Sequence, residues 1–293
     1  MDSFSWPVPN GKYVVALVWM YPEGSLKDKD RETDVRLFEL ATGNLQAEFR
    51  FPGTLQDLDF SPDGRHLAIV GNPKPAPRSG HVYIYETKQI LKGFGKAPPP
   101  VAFDVVYDND TLIPSYVRFI PEIKRKTREA HIVVATWIHH KWQEPEYTGM
   151  LKWYSYTPGG ELKNTSNQET RDQKTNEQIS PQSLAVSREY VILTAHHGSP
   201  KKFFCYDHSG NPVAEIQSET GMAQPAFSRD ERHLIVGQRG DSAVVQVKVY
   251  AVSFGAFQLE STYYGHDSEA VAVALLDEGT AASAGGDQNA QSV

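Results

Sequence analysis

The chain has 293 residues, a formal net charge of −7 and one cysteine. No segment approaches the roughly 18 consecutive apolar residues of a membrane span, and the N-terminus lacks the basic start and apolar run of a signal peptide, so we expect a cytoplasmic protein with no membrane contact. The single cysteine excludes internal disulfides, and the acidic balance argues against broad nucleic-acid binding.

From the N-terminus onward, the predicted elements are short β-strands in which apolar and polar residues alternate, separated by Gly, Pro, Asn and Asp. They fall into units at about residues 3–51, 55–97, 101–165, 181–218 and 222–264, with a partial unit at 265–293. Four short strands per unit predict an all-β fold, a single β-propeller domain (1–293) of about six to seven four-stranded blades, incomplete or unclosed at its ends. The alternative is one large β-sandwich, which does not explain the repetition.

The clearest repeat is a phrase that occurs twice, FSPDGRHLAIVG at residues 60–71 and FSRDERHLIVG at residues 227–237. In both copies an aromatic residue ends one strand, polar turn residues follow, and a more continuously apolar strand begins. A hairpin repeated in this way predicts one structural unit used several times.

The last unit resembles the WD-repeat β-propeller family. It has a Gly265-His266 pair, Ser283 on its predicted second strand and Asp287 in the following turn, while Val293 stands about where that family has a Trp. The resemblance implies that His266, Ser283 and Asp287 belong to a hydrogen-bonded tetrad that fixes the blade. The other units lack the Gly-His pair and the Trp-Asp ending.

The two ends suggest a larger array. The first residues enter directly at an inner strand, and the last residues stop near the third strand of the final unit. No fastening of a ring by both ends is visible in the sequence. We therefore expect a fragment, a processed product or one part of a longer protein.

The long loops link second to third strands, and fourth strands to the next unit, so the propeller layout gathers them on one face. Long loops on a rigid scaffold are where binding concentrates. The polar stretch at residues 164–178 is expected to be mobile. Candidate partner-binding residues on this face are Tyr21, His140, Trp142, Tyr147, His197, Lys202 and Arg239.

Metal and cofactor sites are not expected. Each adjacent pair of histidines in the loops offers only one inward ligand, because neighbouring strand residues point to opposite faces. Asp57 and Asp59 alternate on one predicted inner strand and so point to the same side. Paired acids there would suit a cation, but structural hydrogen bonding is the commoner outcome.

Signatures of enzymes are missing: the sequence has no Gly-x-Ser-x-Gly elbow, no phosphate-binding loop and no His-Glu-x-x-His motif. The sequence therefore predicts a non-catalytic protein-interaction scaffold, part of a larger protein or complex. The alternative is a propeller enzyme or a peptidase-associated gating propeller, with lactonase-like or other hydrolase chemistry partly outside this chain. A third interpretation is a small ligand in the channel mouth, held by Trp19, Trp137 and Trp153, although these residues fit blade packing better.

Overall fold

The computed structural model describes residues 3–7, 12–20, 32–51, 53–73, 79–92, 94–96, 99–108, 112–121, 129–138, 149–157, 161–172, 176, 179–195, 202–217, 222–238, 245–266, 270–275, 280–285 and 290–292. The chain divides into two compact units: residues 1–147 with 152–167, and residues 148–151 with 168–293. Within these ranges the strands form six sheets, numbered here in chain order. No helix among the described residues has the length and apolar character to cross a membrane.

Sheet 1 contains the first four strands and one added strand. Its members are β1 (Ser3–Pro7), β2 (Tyr13–Met20), β3 (Glu32–Glu39), β4 (Leu45–Phe51) and β8 (Phe94–Lys96), in that spatial order. Neighbours among the first four are antiparallel, whereas β8 pairs in parallel with β4. The outer edge of this sheet is therefore covered by a segment from later in the chain.

Sheet 2 corrects the predicted boundary between the second and third blades. It consists of β5 (Gly53–Phe60), β6 (His66–Pro73), β7 (Ser79–Glu86) and β9 (Ala102–Asp108), in the order β5-β6-β7-β9. The prediction ended this blade near residue 97 and gave the next residues to the third blade. The short helix α1 (Thr87–Ile90) and strand β8 lie between β7 and β9 in the chain, so the fourth strand comes later than a regular repeat would place it.

Sheet 3 is formed by β10 (Leu112–Ile120), β11 (Ala130–Ile138), β12 (Met150–Tyr156) and β13 (Leu162–Glu169). Except for the first two residues of β12 and the last two of β13, it belongs to the first unit. Residues 164–169, predicted to be part of a mobile stretch, are instead in a strand. Beyond it, Thr170 and Asp172 are buried, so this part of the connection is fixed by packing.

The second unit carries three sheets whose strands follow one another in space as in sequence. Sheet 4 comprises β14 (Pro181–Val186), β15 (Val191–Ala195), β16 (Lys202–Tyr206) and β17 (Pro212–Gln217). Sheet 5 comprises β18 (Met222–Phe227), β19 (His233–Gln238), β20 (Val245–Ser253) and β21 (Ala256–His266). Sheet 6 comprises β22 (Ala270–Leu275), β23 (Ala281–Gly285) and β24 (Ala290–Ser292).

Successive sheets pack through their first strands. In the first unit β10 lies against β5 and β6, and in the second unit β18 lies against β14 and β15 while β22 lies against β18 and β19. Apolar side chains fill the space between sheets 4 and 5, among them Phe203, Leu234 and Tyr250. Burial of such side chains is the main stabilising contribution to each sheet pair.

The first copy of the repeated phrase forms a tight turn between β5 and β6. The hydroxyl of Ser61 donates to Asp63 Oδ1 at 2.7 Å and accepts the backbone N–H of His66 at 2.9 Å. Asp63 Oδ1 also accepts the backbone N–H of Arg65 at 3.0 Å. Gly64 has φ +69°, a left-handed conformation that glycine adopts without a steric penalty.

The second copy repeats this geometry between β18 and β19. Ser228 donates to Asp230 Oδ1 at 2.6 Å and accepts the backbone N–H of His233 at 2.9 Å. At the position of Gly64 stands Glu231, which adopts φ +62° although it has a side chain. The phrase that the sequence repeats is thus one hydrogen-bonded turn built twice.

Candidate functional site

Most of the predicted partner-binding residues lie outside the part of the chain that the structure describes. These are Tyr21, His140, Trp142, Tyr147, His197 and Arg239. Their role in binding stays a prediction.

Lys202 is described, and its expected accessibility is wrong. The side chain is buried at the start of β16 and forms ion pairs with Asp172 and with Glu215, the latter at 2.7 Å. Its ammonium also lies 5.5 Å from the ring centre of Phe204. Burial opposes the charge, but the hydrogen bonds to the two carboxylates outweigh burial and raise the pKa of Lys202. The lysine fixes the connection before β14 onto sheet 4, and no cation is offered to a partner at this position.

Asp57 and Asp59 are joined to the first strand of sheet 3. Asp57 Oδ2 accepts the backbone N–H of Val117 at 3.0 Å and an N–H of the Arg118 guanidinium, and Asp59 Oδ2 accepts the backbone N–H of Phe119 at 2.7 Å. Protein donors therefore occupy the carboxylates, and the structural interpretation of this pair is confirmed. Together these residues form a polar clasp between sheets 2 and 3.

The clasp has more negative than positive charge when both acids are ionised. Burial is the largest influence on both carboxyls and raises the pKa of Asp57; it also raises the pKa of Asp59 to about 7, against the opposing influence of Arg118. For Arg118, burial opposes the charge, but Asp57 and Asp59 outweigh it and raise the pKa. One guanidinium cannot fully compensate two desolvated carboxylates, so Asp59 takes up a proton near neutral pH.

The tryptophans named for a channel ligand serve packing where their side chains are described. Trp19 Nε1 donates to the backbone carbonyl of Leu55 at 2.8 Å, which ties sheet 1 to the first strand of sheet 2. Trp153 is buried within sheet 3. The side chain of Trp137 lies outside the described part.

The tetrad implied by the family resemblance is described only in part. Ser283 is buried on β23, the second strand of sheet 6, as expected. His266 is the last residue of β21, and Asp287 lies outside the described residues. The hydrogen bonds among the three stay a prediction.

An exposed apolar patch stands at the tip of the β20–β21 hairpin. Phe254 is fully exposed and adopts φ +50°, a strained conformation for a residue with a side chain. The next residue, Gly255, packs so closely that an added Cβ would lie 2.9 Å from Val213 Cγ1 and 3.6 Å from the Tyr190 hydroxyl. We call Phe254, Val213 and Tyr190 the hairpin-tip patch. The backbone at Gly255 therefore packs against side chains of sheet 4, and the Phe254 ring projects from this turn into solvent.

Sequence reasoning missed the hairpin-tip patch because it concentrated on the long loops. The signal was available as the pair Phe254-Gly255 between two alternating strands, where a turn places the aromatic side chain in solvent. The tip belongs to a connection between third and fourth strands, opposite to the predicted loop face in the propeller layout. The described residues contain no group of three or more His, Cys, Asp and Glu side chains that would hold a metal ion.

Comparison with family models and with curated proteins finds no match. Among solved structures, the chain is similar to the WD40 domain of coronin from Toxoplasma gondii, with a TM-score of 0.61 and 12% identity over 97% of this chain and 70% of that one. It is also similar to Sqt1 from Saccharomyces cerevisiae, with a TM-score of 0.53 and 11% identity over 98% of this chain and 82% of that one. The fold is that of a WD40 β-propeller. The predicted all-β propeller class is confirmed, and identities this low extend to the fold alone.

Polar contacts between sheets take varied forms in this WD40 propeller. At the junction of sheets 2 and 3 they are the hydrogen bonds of the clasp formed by Asp57, Asp59 and Arg118. Between sheets 4 and 5 the backbone N–H of Arg188 donates to Glu231 Oε2 at 2.9 Å. Both contacts are made by residues outside the set His266, Ser283 and Asp287.

Proposed function

We propose that this chain is a non-catalytic protein-interaction scaffold of the cytoplasm and that the hairpin-tip patch is one of its partner-binding surfaces. The observation that carries the proposal is the fully exposed Phe254 on a left-handed turn. A two-residue hairpin turn between Ser253 and Ala256 requires positive φ at both central residues, where Asn-Gly is the favoured pair, so a phenylalanine at the first position carries a cost in strain that its exposed ring offsets when a partner covers it. The WD40 fold supports the proposal in general terms, since its blades present turns and loops to other molecules.

The energetics of the patch suit an anchor for a protein partner. Fully burying one phenylalanine side chain contributes about 1.5–3 kcal/mol. Because Val213 is also exposed and Gly255 fixes the tip against it, little ordering is required when a partner covers the ring. Aromatic side chains on preorganised supports are typical of the few residues that dominate interface energies.

The test compares variants in quantitative affinity purification from native cells at endogenous expression. Phe254→Asn removes the ring while asparagine tolerates the left-handed backbone, so folding is preserved. The matched control is Leu40→Asn, which removes another exposed apolar side chain at a turn between third and fourth strands, that of sheet 1. A third variant, Trp142→Ala with Tyr147→Ala, tests the predicted loop surface.

We expect a protein partner in stoichiometric amount. The amount recovered should fall about tenfold or more with F254N, in line with the burial of one aromatic ring, and should be unchanged with L40N. If only the Trp142 and Tyr147 variant loses the partner, the scaffold function stands and the partner-binding surface lies on the loop face. If no protein co-purifies in stoichiometric amount, or if L40N loses the partner as strongly as F254N, the proposal is wrong.

A further inference from the structure

Two hydroxyl groups are buried without a protein partner on the inner strands of sheet 4. Ser183 on β14 is 1% exposed and Thr194 on β15 is fully buried, and neither hydroxyl has a hydrogen-bond partner in the part of the chain that the structure describes. The two residues stand directly opposite each other in the β14–β15 ladder, so their side chains share one face of the sheet. Because a buried hydroxyl without a partner is costly, protein or ordered water usually satisfies it.

The face that carries these hydroxyls is the one that sheet 5 covers. Ala185 and Ile192, each two positions away on the same strands, belong to the apolar core that also contains Leu234 of β19. Side chains two positions apart in a strand point to the same side, so Ser183 and Thr194 project into this layer as well. The two hydroxyls are therefore enclosed between two sheets of one compact unit.

In sheet 2 the position of Ser183 is held by Asp57 of the clasp. Each is the first paired residue after a β-bulge in its strand, and Asp57 accepts the backbone N–H of Val117 from the next sheet. By the repeated phrase, Pro225 in β18 is equivalent to Leu58 in β5, and Val117 has that position in β10, one residue beyond the first pair after the bulge. Proline has no N–H, so Ser183 cannot receive the contact that Asp57 receives.

The inner edge of β18 supplies a backbone donor at Phe227. The N–H of the next residue, Ser228, bonds across the ladder to β19 at 2.9 Å. Because bonded and non-bonded pairs alternate in an antiparallel ladder, the N–H of Phe227 points away from β19. The equivalent N–H in sheet 3, that of Phe119, is accepted by Asp59. Sheet 4 has Ala185 at the position of Asp59, and an alanine side chain offers no acceptor.

We propose that the layer between β14 and β18 binds an ordered water molecule, held by the hydroxyls of Ser183 and Thr194, which joins sheets 4 and 5 as the carboxylate of Asp57 joins sheets 2 and 3. A buried water typically makes about three hydrogen bonds to groups that lack other partners. Each hydroxyl can donate and accept, and the N–H of Phe227 adds a donor. These three groups are neutral, which suits water rather than an ion. The inference is independent of the partner-binding function, because it concerns the join between two sheets.

The first experiment is a crystal structure of the chain at a resolution that places ordered waters. We expect one water within about 2.5–3.0 Å of both Ser183 Oγ and Thr194 Oγ1, the range of an O–H···O hydrogen bond. The proposal is overturned if the two hydroxyls bond to each other or to backbone carbonyls with no water between them. A water that contacts only one of the two hydroxyls overturns it as well.

The second experiment measures urea midpoints for Ser183→Ala, Thr194→Val and the double variant. Each single change removes one partner of the water and should lower the midpoint, and the double change should lower it by less than the sum, since both hydroxyls hold one water. The control is Thr33→Val, whose hydroxyl bonds to Gly53 and Leu55; combined with Ser183→Ala, its effect should be additive. A midpoint that rises in either single variant indicates a hydroxyl without any partner and contradicts the inference, as does additivity of Ser183→Ala with Thr194→Val.

Discussion

Replacing Asp59 by asparagine tests whether the clasp between sheets 2 and 3 holds a proton near neutral pH. The pKa of Asp59 in the folded chain is about 7, against an ordinary value of 3.8. Between these values the folded state binds a proton that the unfolded state does not. The resulting stability is fully present below about pH 4 and is lost as the pH rises through 7.

The size of the effect follows from the two pKa values. Integrated between pH 5 and pH 8, the shift corresponds to a loss of about 2.5 kcal/mol in the free energy of unfolding. Asp59 retains some solvent exposure, which screens the interaction, so we expect roughly 1–2.5 kcal/mol. The charged groups that face it are Asp57 and Arg118, with Tyr116 beside the guanidinium. Asp57 has a raised pKa as well, so its contribution has the same sign.

Asparagine keeps a carbonyl oxygen that can accept the backbone N–H of Phe119, so Asp59→Asn removes the ionisation and preserves the hydrogen bond. The assay is urea-induced unfolding of both proteins at pH 5, 6, 7 and 8. The variant should gain stability relative to wild type by roughly 1–2.5 kcal/mol from the lowest to the highest pH. Asp63→Asn is the control: hydrogen bonds with Ser61 and Arg65 outweigh burial and lower the pKa of Asp63, so it stays ionised over this range. Parallel stability curves for wild type and Asp59→Asn would refute the reasoning.

Three further predictions concern the turns and the buried polar groups. Gly64→Ala should lower the free energy of unfolding in urea by about 1 kcal/mol, because the φ of Gly64 is positive while the space around it is open. Glu231→Gly should leave the free energy of unfolding almost unchanged, since the relief of backbone strain is offset by loss of the contact with Arg188 of sheet 4. Lys202→Met should lower the free energy of unfolding by about 3–5 kcal/mol, because it leaves the buried carboxylates of Asp172 and Glu215 uncompensated. Thermal unfolding should show that part of this stability returns when both carboxylates are also neutralised by substitution. Cys205, whose pKa burial raises to about 12, should not react with Ellman's reagent at pH 8 until the chain is unfolded.

The strands were predictable where local sequence determines them. The repeated turn was found because Ser61, Asp63 and the positions after them make contacts only within the turn, and alternation along each strand reports which face is buried. Sheets 4 and 5 accordingly span Pro181–Gln217 and Met222–His266, close to the predicted units at 181–218 and 222–264.

The errors fall where a distant partner decides the outcome. Lys202 at the start of a strand is typical of an exposed residue, and its burial depends on Asp172, thirty positions earlier. The fourth strand of sheet 2, β9, was assigned to the next blade because α1 and β8 interrupt the repeat. β8 itself pairs with β4 of sheet 1. The exposed tip at Phe254 follows from local sequence and was overlooked. For the loop residues, the expectation of partner binding awaits the experiments above.

The parallel pairing of β8 with β4 bears on how the chain is made. Residues 94–96 lie between the third and fourth strands of sheet 2, yet they complete sheet 1. During synthesis, β4 therefore remains an uncovered outer strand of the four-stranded first blade until most of the second blade has left the ribosome. Repeat proteins behave as a row of units coupled to nearest neighbours, and β8 adds strand pairing to the contacts that couple the first two blades. We expect these two blades to fold and unfold as one cooperative element, with β4 exposed as a vulnerable edge in every nascent chain that stops before residue 96.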